Sequence, residues 1–170
     1  AYTLYEEDPE NPVYRITYGL FDSGGNLLKE FTPIAGSTGL RADAVQATGG
    51  NIFLAWSDPS KSTIAVTVIH SSGNQLVSGP FDLPAVGTRR PDYVSLTRDS
   101  QGRVVLTWMD FRYYDYLFYA LLDGEGGLLT PSMIFATGSA DEPLIQSSFA
   151  SHGNAPYLGA WDAHLPILSR

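Results

Sequence analysis

A chain of 170 residues with 44% hydrophobic and only 16% charged residues can bury a core, and it belongs to the folded rather than the disordered class. Its net charge of −8 and pI near 4.6 argue against binding the phosphate backbone of nucleic acid, which demands clustered Lys and Arg; Lys29 and Lys61 are the only lysines. No cysteine is present, so disulfides, zinc thiolates and cysteine nucleophiles are excluded. The longest apolar runs, such as Ile64–Ile69, fall far short of the roughly 20 residues that cross a bilayer, so membrane insertion is not expected.

In chain order, the opening AYTLY already sits inside a strand-like pattern, which predicts a mature or excised segment whose residues 1–6 form a strand of a preceding unit. Beyond it, Val, Ile, Tyr, Phe and Thr cluster in short runs bounded by Gly, Pro, Asn and Ser, and no long stretch keeps helical spacing. The runs predict strands at about 14–21, 26–34, 42–47 and 51–57, then 63–70, 75–83, 92–98 and 103–109, then 116–122, 127–135, 144–150 and 156–162. Trp56, Trp108 and Trp161, in LAWSD, LTWMD and GAWDA, recur 52 and 53 residues apart. In step with them run the turn sequences FDSGGNLL, IHSSGNQL and LDGEGGLL. A second glycine-bearing turn precedes each tryptophan strand, in TGGNIFLAW, DSQGRVVLTW and SHGNAPYLGAW.

Two hairpins per repeat and a period close to the roughly 40–50 residues of repeat propellers predict an all-β chain. The expected architecture is three four-stranded antiparallel β-propeller blades, at about 13–58, 62–110 and 115–162, with the strand 1–6 ahead of them in a single segment 1–170. A β-sandwich is the alternative. Propellers close with about four to eight blades, so the expected partners are further blades of the same chain or other copies, in a ring or a filament.

The pattern W-x-D-x-R-x-x-D-x-x-x-Y, filled by Trp108, Asp110, Arg112, Asp115 and Tyr119 and followed by LLDGEGGLL, resembles a repeat of secreted and surface-attached bacterial β-propellers, a group similar to the sialidase-like propeller superfamily. The resemblance implies the propeller fold and an extracellular or cell-surface location. WSDPSKSTIAV lacks the arginine, and TRDSQGRVVLTW does not meet the S-x-D-x-G-x-x-W spacing of the superfamily's Asp-box. The arginine cluster, tyrosine nucleophile and acidic partners of sialidases map onto no residues of this chain.

Candidate chemistry is sparse. Asp58, Asp110 and Asp162 follow the tryptophans. A carboxylate repeated at one place in every unit reads as a loop-former accepting backbone N–H bonds, with a ring of acids as the sharper alternative. Arg112 lies between Asp110 and Asp115, where an internal salt bridge competes with an anionic sugar for its planar fork. Arg41 and the pair Arg89–Arg90 both precede a strand, so they are candidates for a shared anion site, although the third unit carries Asp141 and Glu142 there. Tyr113, Tyr114 and Tyr116 can stack on sugar or pack between units.

His70, His152 and His164 fall in or beside turns without metal-ligand spacing, so no metal site is expected from them. DSGGN and DGEGG have the composition of calcium loops but lack the D-x-D-x-D alternation, so calcium is a minor alternative to no cofactor. No G-x-S-x-G, P-loop or H-E-x-x-H is present, and no catalytic residue is assigned. The expected function is a non-enzymatic binding or structural module of a bacterial surface or secreted protein, acting in protein interaction or assembly. The alternatives are part of a sialidase-like glycoside hydrolase, or a glycan-binding propeller.

Overall fold

The computed structural model describes residues 2–6, 13–34, 39–58, 60–72, 76–83, 91–110, 116–137, 144–152, 155–162 and 166–169. These are all strand and turn, with no helix among them. The first sheet holds β1 (Tyr2–Glu6), β2 (Val13–Phe21) and β3 (Leu27–Pro33). The second holds β4 (Leu40–Gln46), β5 (Ile52–Asp58), β6 (Thr63–Ile69) and β7 (Leu76–Leu83). The third holds β8 (Pro91–Arg98), β9 (Val104–Asp110), β10 (Tyr116–Leu122) and β11 (Met133–Thr137), and the fourth β12 (Leu144–His152), β13 (Ala155–Asp162) and β14 (Pro166–Ser169). Every neighbour is antiparallel and strands pair in chain order, so each sheet is a meander built by local hairpins.

One turn geometry is used repeatedly. In Asp22–Asn26, Ala47–Asn51, Asp99–Arg103 and Asp123–Gly127 the first N–H donates to the fifth carbonyl, and the fourth N–H donates to the first carbonyl. The fourth residue is a glycine with φ of 83°, 87°, 82° and 97°, the left-handed position that a three-residue hairpin loop requires. In three of these turns the leading aspartate's Oδ1 also accepts the third and fifth N–H groups, so the turn residues of the sequence act through their hydrogen bonds.

The hydrogen-bonded sheets span 40–83 and 91–137, two strands out of step with units at 13–58, 62–110 and 115–162. The cause is the segment after the tryptophan: β5 and β6 pair over their whole length, from Ile52↔Ile69 to Asp58↔Thr63, so Trp-Asp ends a strand inside a sheet. The chain passes from sheet to sheet between β3 and β4, β7 and β8, and β11 and β12. β11 begins at Met133, not near 127. Pro131 has no N–H for the ladder, and the Thr130 hydroxyl accepts the Leu121 N–H instead (3.0 Å), leaving only a bridge at Leu122↔Leu128. β14 adds a strand beyond the last one expected.

The first strands of the second, third and fourth sheets share a bulge beside the tryptophan. Pairing jumps from Leu40↔Ser57 to Asp43↔Ala55, from Asp92↔Met109 to Ser95↔Thr107, and from Leu144↔Asp162 to Gln146↔Trp161. Sheets lie against one another in chain order: β1 and β2 touch β4, β4 and β5 lie on β8, and β8 and β9 lie on β12. The main core fills the second seam with Phe53, Ile64, Val66 and Val68 against Leu96, Val104, Leu106 and Trp108. A smaller cluster of Ile16, Ile34, Leu54, Trp56, Ala65 and Ile69 fills the first. Because the second sheet is covered on both faces, β5 and β6 are buried at nearly every residue and read as continuous apolar runs rather than alternating ones.

Candidate functional site

The meanders sort the connections to two ends. The regular turns sit at one end, and the β5–β6 and β9–β10 connections share the other with the passages between sheets, as Pro91↔Asp110 and Tyr116↔Asp110 show. Of the candidate arginines and tyrosines, Arg41 and Tyr116 are described, and both belong to this second end. Arg89, Arg90, Arg112, Tyr113, Tyr114 and Asp115 lie outside the described residues, but the strand ends that anchor their connections meet at this edge. Asp110 and Asp162 close β9 and β13, and Trp161 lies in β13; of these three the backbone alone is described.

Arg41 is the described member, and the bulge sets its position. Its φ of 52° and that of Tyr93, 49°, place two non-glycine residues in the left-handed region at the same step of successive sheets. Such a conformation is disfavoured for residues with a Cβ, and it re-aims the side chain out of the ladder. Arg41 Nε lies 3.0 Å from Asp92 Oδ1, and its guanidinium carbon sits 3.7 Å from the centre of the Tyr93 ring. Asp92 Oδ1 also accepts the Tyr93 N–H at 2.9 Å, so one carboxylate orients both partners. The Arg41 side chain remains 47% exposed. Its terminal nitrogens have no acceptor among the described residues, and its planar fork stays open toward solvent on one side.

Next to it, Asp58 closes the β5–β6 turn. The carboxylate is 2% exposed and accepts from the Ser60 N–H (3.1 Å), the Ser60 hydroxyl (2.5 Å) and the Lys61 N–H (3.4 Å). Lys61 Nζ bridges Asp82 (3.4 Å) and Asp58 (3.5 Å). Asp82 above all, with a lesser contribution from Asp58, holds the Lys61 ammonium above its ordinary range against the opposing effect of burial. Thr63 adds a hydroxyl donor to Asp82 at 3.2 Å. This network fixes a turn.

The tryptophans sit behind this end. Trp108 is fully buried and stacks on its cross-strand partner Phe118, ring centres 5.6 Å apart and 9° from parallel. Trp56 packs its indole edge against Gly39, where a Cβ would collide with the ring and with the Ser57 carbonyl. Elsewhere, His70 caps its own turn, its Nδ1 accepting the Ser72 N–H at 3.2 Å. The aspartates that open DSGGN and DGEGG, Asp22 and Asp123, turn their carboxylates to N–H donors, and among the described residues no three His, Asp or Glu side chains gather as a cation cage.

Asp43, Asp92 and Tyr93 were not candidates from the sequence. One signal was available: Arg41 and Tyr93 each stand 15 residues ahead of their tryptophan, so the repeat alone marks them as equivalent. Compared with protein-family models and with curated protein sequences, the chain matches none.

Proposed function

We propose that the chain is a run of β-propeller blades serving as a non-enzymatic binding or structural module of a bacterial secreted or surface protein, with the connection-rich end as its binding face. The observation that carries this reading is the stacking of antiparallel meanders in chain order, through first strands that each bulge beside the tryptophan. A unit that cannot bury its faces alone and repeats radially is the logic of a propeller, and its partners are further blades, from the same chain or from other copies. Within this reading the blades are the hydrogen-bonded sheets.

Light scattering of the purified chain tests it. The reading expects association above 18.5 kDa, or an arc that unfolds in more than one step. A monodisperse monomer with one cooperative transition would overturn the need for partner blades.

The half-exposed Arg41 fork favours a second reading, capture of an anionic group such as an acidic glycan at the same end. A glycan array with native chain and Arg41→Ala checks it: binding of acidic glycans that the variant loses supports it, and a blank array removes it. Turnover of a fluorogenic sialoside would move the chain to the hydrolase alternative.

A further inference from the structure

Arg41 and Asp92 meet across the second seam, and that seam has other fastenings. β4 lies along β8, Asp43 Oδ2 accepts the Leu96 N–H at 2.7 Å, and the turn after β4 reaches Gly102 through Thr48 and the Gly124 carbonyl through Asn51 Nδ2 (3.1 Å). An ion pair with a half-exposed partner adds little to such a joint. The left-handed backbone at Arg41 and Tyr93, in contrast, costs stability in residues with a Cβ. A joint demanded by the repeat would also recur. At this step of the fourth sheet the chain carries Leu144, Ile145 and Gln146, with neither an aspartate nor an aromatic ring.

What the arrangement achieves is orientation. Asp92 takes the Nε edge of the guanidinium, the Tyr93 ring covers one face, and the two terminal nitrogens are left at the exposed edge with no acceptor among the described residues. Arg103 shows the closed alternative, since its Nε and a terminal nitrogen both turn to Asp99 Oδ2, each at 2.6 Å. Lys61 is closed in the same sense, bridging Asp58 and Asp82. Arg41 is held in place and still unspent.

We infer that Arg41, positioned by Asp92 and Tyr93, recognises the singly charged carboxylate of an acidic sugar, taken end-on by its two terminal nitrogens. This rests on the reading of Arg41 as an anion-capturing group, and it names the ligand. The coplanar N–H groups of the fork match the two coplanar oxygens of a carboxylate. Asp92 beside the fork and the net charge of −8 disfavour a dianion such as a phosphate monoester. Tyr116 stands at the same edge, because Asp110 pairs with Pro91 on one side and with Tyr116 on the other. It is half-buried and packs against the core of the second seam beside Phe118, so it offers a ring for the carbon face of the sugar.

The purified chain is titrated with glucuronate, acetate, glucose and glucose 6-phosphate, and the Arg41 Nε–H and Tyr93 amide signals are followed by NMR. Glucuronate is expected to shift both signals saturably, acetate and glucose 6-phosphate to do so more weakly, and glucose to leave them in place. Arg41→Lys keeps the charge but has no fork, and weakens glucuronate binding about tenfold with the unfolding curve retained. Tyr93→Phe keeps the stacking ring and binds like the native chain, whereas Tyr93→Leu weakens binding about threefold. Asp92→Asn keeps an acceptor for Nε while removing the charge, so glucose 6-phosphate gains on glucuronate, a change of selectivity that a purely structural role would not produce. No shift at Arg41 with any of these compounds overturns the anion reading and this inference together. Glucose 6-phosphate binding as tightly as glucuronate to the native chain leaves anion capture standing and overturns the carboxylate assignment. Acetate binding as tightly as glucuronate overturns the sugar, and undiminished binding in Arg41→Lys overturns the fork.

Discussion

The seam between the second and third sheets and the seam between the first and second stand one repeat apart, yet among the described residues only the former lays a first strand on a first strand. It unites Phe53, Ile64, Val66 and Val68 with Leu96, Val104, Leu106 and Trp108, and it adds the Asp43–Leu96 bond and two turn contacts. The latter relies on Ile16, Ile34, Leu54, Trp56, Ala65 and Ile69, and leaves Phe21 and Leu28 at 50% and 67% exposure. The difference shows that a tryptophan in each repeat does not by itself make equal joints: what completes a seam is the first strand of one sheet lying on the first strand of the next.

Truncating the two tryptophans probes this most strongly. Trp108→Ala removes a fully buried ring and its stack on Phe118 from the larger cluster, so it is expected to cost about 4–5 kcal/mol in urea unfolding. Trp56→Ala, beside a seam that already contains a groove and can collapse, is expected to cost about 3 kcal/mol. Equal costs, or the reverse order, would break the comparison.

Glycines of one geometry in different surroundings give the next contrast. Gly25 and Gly102 hold the same turn position, with φ of 83° and 82°. A Cβ at Gly25 meets nothing within 4 Å, whereas at Gly102 it lies 2.5 Å from Thr48 Oγ1 across the second seam. Gly25→Ala should cost only the left-handed backbone, about 1 kcal/mol, and Gly102→Ala about 2–3 kcal/mol. Pairing Gly102→Ala with Thr48→Ala should return part of the excess, which a double-mutant cycle measures.

Asp43 sharpens the same point on a smaller scale. Its carboxylate is half-buried and takes the Leu96 N–H while also accepting the Ala44 N–H at 2.8 Å. Asp43→Ala leaves the Leu96 N–H without that acceptor and is expected to cost about 1–2 kcal/mol, with faster exchange of that amide. Asp43→Asn keeps an acceptor and should recover about half. Unchanged exchange at Leu96 would remove Asp43 from the seam.

What the sequence revealed follows from where the determining interactions lie. The strands and turns were readable because each turn is settled within five residues by a glycine and an aspartate, as in Asp99–Arg103. β11 was placed too early because Thr130 and Pro131 interrupt a ladder that the apolar pattern continues through. The phase of the sheets was missed because both halves of the repeat are hairpins, and only the full pairing of β5 with β6 shows which belongs inside a sheet. Arg41 stood out as a charge, but its partners Asp92 and Tyr93 are 51 and 52 residues further on and meet it through a bulge that leaves no local mark. Asp58 was legible as a turn-former because its donors, Ser60 and Lys61, follow immediately.

The turns themselves offer the finest test, since three of the four lead with aspartate and one with alanine, while His70 opens the connection after β6. The Asn26 side-chain amide, followed by the Asn26 N–H, holds the Asp22 carboxyl below its ordinary value of 3.8. A carboxyl lowered by folding contributes stability above its unfolded value and loses it as pH falls through the folded one, so Asp22 supports the fold at neutral pH and its contribution fades below about pH 4. Asp22→Asn should therefore flatten part of the acid limb of stability against pH. His70 offers Nδ1 to the Ser72 N–H, where aspartate in the other turns accepts two N–H groups through Oδ1. His70→Asp is expected to stabilise the chain by about 0.5 kcal/mol at pH 7 by supplying the stronger, charged acceptor. Because the new carboxyl would be lowered by accepting the Ser72 N–H, the gain should fade as pH falls through its folded value. A gain that persists in acid would show that the histidine was costing stability in some way other than as a weaker acceptor.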